Sequence, residues 1–148
     1  MKRALSLAIA VATLSAAQLA SSHAVVICED SKVQLARKLT EAKLIFLGRL
    51  VSEVAAPSNP SAKVITMAVL RRWKGPSIET TVELSWPEGH PPIISGHSFL
   101  IIAESGPNAT WTVPWSKCFH GVIAEPDADV AFTLLGAPEW TLDVSGSK

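Results

Sequence analysis

The chain holds few side chains suited to metal or proton chemistry. Beyond the first 24 residues its only histidines are His90, His97 and His120, and its only cysteines are Cys28 and Cys118. Cys118-Phe119-His120 and the pair His90/His97 offer sulfur and imidazole ligands, yet their spacing matches no standard metal site. A sulfur committed to a disulfide is no thiolate ligand either. The histidines therefore read as loop or surface residues, with neither metal nor cofactor expected. Ser98 sits in Gly96-His97-Ser98-Phe99-Leu100, which lacks the second glycine of a nucleophile elbow. Glu125, Asp127 and Asp129 crowd a helix start, where negative charge complements the helix dipole, so no acid–base pair is read from them. No catalytic constellation emerges, and the chain reads as a non-enzyme.

Binding chemistry has more material. There are five tryptophans and no tyrosine. In one reading Trp73 and Trp86 fill the interior while Trp111 or Trp115 covers one mouth of it. In the other, Trp111 and Trp115 beside Pro114 form an aromatic binding surface. Arg71-Arg72 could make a small anion site, but adjacent strand residues point to opposite faces, so a solvated edge is expected there.

The compartment is legible at the N-terminus. Met1 to Arg3 is a short basic start, Ala4 to Ala17 an alanine-rich apolar run, and Ser22-His23-Ala24 a small-x-small cleavage site. Residues 1–24 are thus expected to be a cleaved signal of bacterial type, leading to the periplasm or outside the cell. Ile27 before Cys28 stands where a lipoprotein signal needs a small residue, so no lipid anchor is expected. An exported chain with two cysteines is most simply read as carrying one disulfide. Closing a loop of about 90 residues stabilises by roughly 4 to 5 kcal/mol on the chain-entropy model.

Removing 24 of the 148 residues leaves 124, enough for one cored domain. Loss of Lys2 and Arg3 takes the 13 basic side chains to 11, against 13 acidic ones. That slight negative balance argues against a nucleic-acid partner. No later apolar run approaches the roughly 20 residues of a membrane span. The domain is placed at 25–140, with a loose tail at 141–148.

The elements that must position these residues follow from periodicity. Asp30 or Ser31 can cap a helix to about Ala42, with Val33, Ala36, Leu39 and Lys43 at helical spacing and Leu35 widening the stripe. Leu44 to Val54 begins as a continuous apolar run and ends in alternation, the pattern of a strand buried on both sides at one end; Gly48 in its middle suggests a bulge. Pro57 to Ser61 is a polar turn. Val64 to Arg72 is a second strand with Ile65, Met67 and Val69 on one face. Thr80 to Trp86 is a third, with Val82, Leu84 and Trp86 facing one way. Pro87 to Gly96 is irregular, with three prolines and two glycines. Ser98 to Ala103 and Thr110 to Val113 are the fourth and fifth strands. Pro126 and Asp127 start a helix through about Leu135. Five short strands with a helix at each end suggest a mainly β protein built on a small barrel.

Several pieces, taken in order, resemble a known family. They are Leu44-Ile45-Phe46-Leu47-Gly48-Arg49-Leu50, Val69 to Gly75 ending in Trp73-Lys74-Gly75, Gly96 to Ala103, and Ser116-Lys117-Cys118. Over about residues 28–136 the order resembles the OB-fold domain shared by tissue inhibitors of metalloproteinases, netrin C-terminal modules and their bacterial relatives. The resemblance implies a five-stranded OB-fold-like barrel and a Cys28–Cys118 disulfide. Two departures bear on activity. Cys28 is followed by Glu29 and Asp30, not by the usual Cys-x-Cys start. Cleavage after Ala24 also leaves Val25-Val26-Ile27 ahead of Cys28, where the inhibitors chelate the protease zinc through a cysteine at the mature N-terminus. The leading expectation is a protein-interaction module that binds through Val25, Val26, Ile27 and Cys28 or through Trp111 and Trp115. A metalloprotease inhibitor is the alternative, and a histidine-based metal protein or enzyme a further one. Asn108-Ala109-Thr110 is a glycosylation sequon, relevant only in a eukaryotic source.

Overall fold

The computed structural model describes residues 30–77, 80–116 and 118–142. The expected signal, Val25, Val26, Ile27 and Cys28, and residues 143–148 of the expected tail lie outside the described residues. Helix α1 runs Ser31–Glu41; the Asp30 carboxylate accepts from the Lys32 amide at 2.9 Å and the Val33 amide at 3.4 Å, satisfying two of the donors a helix start leaves open. Its buried face is Gln34 and Leu39 with Leu35 half-buried, while Val33 is exposed. The stripe is thus rotated by about one position from the expected one.

Strands β1 (Leu44–Ala56), β2 (Asn59–Lys74), β3 (Thr81–Trp86), β4 (Ser98–Ser105) and β5 (Trp111–Thr112) close into a ring. β1 pairs antiparallel with β2 and with β4, β2 with β3, and β4 with β5; a parallel β3–β5 pairing, Leu84 opposite Trp111, completes the circuit. The protein is therefore mainly β, a closed five-stranded OB-fold-like barrel with an N-terminal and a C-terminal helix. Closure removes exposed sheet edges and encloses a core. Leu44, Phe46, Ile65, Met67, Val69, Val82, Leu84, Trp86, Ile101 and Val113 fill it, all buried. The double-sided run in β1 has its reason here: Leu44 and Phe46 point into the barrel, Ile45 and Leu47 into a second apolar layer outside it. Gly48 does mark a bulge, since the β1–β2 register shifts between Leu47 and Gly48. A Cβ there would lie 2.7 Å from the Ala68 carbonyl oxygen and from the Phe46 ring.

The outer layer joins Ile45, Leu47, Leu100 and Ile102 of the barrel wall to Leu39 and Ala42, and to Ala128 and Ala131 at helix α2 (Asp129–Leu135). A 3-10 turn, Glu125–Asp127, precedes that helix. Trp73 belongs to this layer and not to the barrel interior. Its indole Nε1 donates to the Gly136 carbonyl at 2.8 Å and its ring stacks on Phe132 at 5.4 Å. The cause is local. Leu70 and Trp73 have no counterpart in the β1 register, and each such insertion reverses the in–out alternation that follows it.

Two short strands complete the sheet. β6 (Val122–Ala124) runs beside β4, with Phe99 opposite Ala124 and Ile101 opposite Val122. β7 (Trp140–Thr141) pairs with Arg71 and Arg72 of β2, and the Leu142 amide donates to Leu70. Pairing therefore continues past the boundary expected at Trp140. Among the described residues no helix is long and apolar enough to cross a membrane.

Candidate functional site

Between β5 and β6 the chain leaves the barrel and returns to it. β5 ends at Thr112, Val113 is buried in the core, and β6 resumes at Val122 beside the same strand, β4. The excursion is a hairpin closed at its base. The Gly121 amide donates to Pro114 at 2.9 Å, and the Gly121 carbonyl accepts from the Ile102 amide of β4 at 2.8 Å. Above that base Trp115 bridges His120, the Ser116 amide donates to Phe119 at 2.8 Å, and the Ser116 hydroxyl oxygen accepts from the Phe119 amide at 3.0 Å. Phe119 turns back into the outer layer, while Trp115 and His120 remain exposed. The Lys38 ammonium of α1 lies 6.0 Å from the Phe119 ring, a cation–π contact that ties the hairpin to the helix.

The proline-rich segment after β3 reaches the same place. Trp86, buried at the end of β3, donates its indole N–H to Pro91 at 3.3 Å and lies 5.0 Å from the His90 ring. His90 lies 5.0 Å from Trp115, and Trp115 stacks on His120 at 3.8 Å with 14° between planes. Four rings, Trp86, His90, Trp115 and His120, thus form a continuous series from the barrel core to solvent. His90 Nε2 is 3.1 Å from the Val113 carbonyl oxygen. A carbonyl only accepts, so Nε2 carries the proton. Nδ1 is buried without a hydrogen-bond partner among the described residues. A shallow cleft of about 170 Å³ beside this series is lined by Lys63 and Glu88 as well as Trp86 and His90.

The structure therefore sorts the sequence candidates. Trp115 is at the surface, 39% exposed, whereas Trp111 is half-buried and packs against the barrel core. His90 and His120 meet through Trp115, and His97 stays apart in a turn. Among the described residues no three of His, Cys, Asp and Glu converge as metal ligands would. Cys118 sits in the hairpin between Trp115 and His120 and is not a free thiol. Ser98 is buried at the start of β4, where its hydroxyl oxygen accepts from Arg49 Nε at 3.0 Å. Glu125, Asp127 and Asp129 lie in the 3-10 turn and the first turn of α2. Sequence reasoning missed the ring series itself. Its only trace is the recurrence of a histidine four or five residues after a tryptophan, at Trp86/His90 and Trp115/His120. The arrangement offers a preformed aromatic surface. No family model and no curated protein matches the chain.

Proposed function

We propose that the chain is an exported, non-catalytic interaction domain that docks a protein partner through the hairpin between β5 and β6. One observation carries the reading. Trp115 is exposed yet already packed, stacked on His120 at 3.8 Å and 5.0 Å from the His90 ring. Binding is opposed by the entropy of fixing side chains, and a held indole has little of it left to lose. Tryptophan is also among the residues that most often dominate interface energies.

The expected Cys28–Cys118 bond would bring Val25 to Cys28 against the same hairpin. The two binding elements read separately from the sequence would then form one surface. Within this reading the chain is a bacterial relative of the metalloproteinase-inhibitor and netrin-like domains, acting in the periplasm or outside the cell. Three residues ahead of Cys28 in the mature chain would leave it without the zinc-chelating terminus of the inhibitors.

A photo-crosslinking residue placed at 115 or 120, in cells exporting the protein, tests this. A discrete adduct from both positions, absent when the probe stands at Val54 or Val130, is expected; both control positions are exposed and apolar. Equal labelling from all four positions would sink the proposal.

A further inference from the structure

A second concave feature lies where β7 pairs with the end of β2. It is a cleft of about 310 Å³, at the lower end of the range for small-molecule sites, and Arg49, Arg71, Ser98 and Glu125 line it. Its apolar wall is Leu47, Leu70 and Leu142. Arg49 arrives oriented, because its Nε donates to the buried Ser98 hydroxyl. That leaves the four N–H groups on its two terminal nitrogens without a partner among the described residues. Arg71 reaches the cleft because the bulge at Leu70 places it opposite the outward-facing Leu47. Neither guanidinium forms an ion pair among the described residues, although Arg72, the next residue, pairs with Glu139.

We infer that this cleft binds a carboxylate monoanion bearing an apolar tail. Two guanidinium forks match the planar, two-oxygen geometry of a carboxylate. Glu125 in the same lining reduces the local charge to about +1, which a monoanion neutralises and a dianion such as phosphate overshoots. The leucine wall supplies burial for the tail. A free amphiphilic acid and the C-terminal carboxylate of a peptide ending in an apolar residue share this chemistry.

Amide chemical-shift titration of the mature, oxidised protein tests the assignment, with hexanoate, hexanamide, inorganic phosphate and the tripeptide Gly-Gly-Leu as probes. Saturable shifts at Ser98, Thr141 and Leu142 are expected with hexanoate or the tripeptide, and the tighter of the two identifies the source. Arg49→Gln and, separately, Arg71→Gln should each weaken binding by about tenfold, as loss of a charge-assisted contact does. Glu125→Gln should let phosphate compete. The variants' melting curves separate lost binding from lost folding, and both arginines are exposed. Equal shifts from hexanamide, equal binding of phosphate by the native protein, no saturable shift, or unchanged affinity in both arginine variants would overturn the inference.

Discussion

Replacing Gly121 by alanine puts one Cβ where the barrel wall already stands. An ideal Cβ there would lie 2.6 Å from the Ile102 carbonyl oxygen, 2.8 Å from Pro114 Cδ and 2.8 Å from Val113 Cγ1. The Ile102 oxygen belongs to the backbone of β4, paired with Ile45 of β1 in the closed ring, and cannot move aside cheaply. The hairpin must retreat instead, weakening the Gly121–Pro114 and Ile102–Gly121 hydrogen bonds at its base. Overpacking costs roughly 1 to 3 kcal/mol, and each weakened hydrogen bond about 0.5 to 1.5. The sum, about 2 to 6 kcal/mol, corresponds to a fall in melting temperature of about 8 to 24 °C for a domain of this size. Gly96 is the control. Its φ of 85° favours glycine, but nothing lies within 4 Å of an added Cβ, so Gly96→Ala carries only about 1 to 2 kcal/mol of backbone strain. Thermal unfolding followed by circular dichroism ranks the two, and tryptophan fluorescence reports the Trp115 environment. If Gly121→Ala melted within about 2 °C of the native protein, or above Gly96→Ala, the hairpin would not be seated on β4 as described.

The remaining predictions concern the outer layer, the sulfur bond and export. Trp73→Phe should lower stability by at least about 1 kcal/mol through loss of the bond to Gly136, whereas Trp115→Ala should cost less; denaturant melts of both settle the order. Changing Cys28 and Cys118 together to serine should destabilise by roughly 4 kcal/mol while strand content survives in the cold, and thiol labelling of the oxidised native protein should find neither sulfur reactive. Intact mass of the exported protein should correspond to a start at Val25 without lipid.

Much of the barrel was legible because long apolar patterns have one cheap solution. The two-sided run Leu44 to Leu47 needs cover on both faces and receives the barrel on one and the helices on the other. The alternation of Val82, Leu84 and Trp86 maps directly onto the buried face of β3. Trp73 went astray for a physical reason. It shares parity with Ile65, Met67 and Val69, and only the bulges at Leu70 and Trp73, invisible in composition, turn it outward. β6 and β7, at three and two residues, are too short to carry a period, and their pairing is set by strands distant in sequence. The site was half legible. Trp115 stood out with Trp111 beside Pro114 as a candidate aromatic surface, but its coupling to His90 depends on a proline-rich loop whose path no local pattern specifies.

Affinity for the partner captured by crosslinking at position 115 tests the central claim most directly. Trp115→Ala should weaken binding by about 30-fold or more, the size expected of a dominant interface tryptophan. His120→Ala should weaken it less and should add little on top of Trp115→Ala, because the two rings act as one stack. Val54→Ala should leave affinity within about threefold of the native value. Native affinity in the Trp115→Ala protein, measured by calorimetry with its fold intact, would contradict the account.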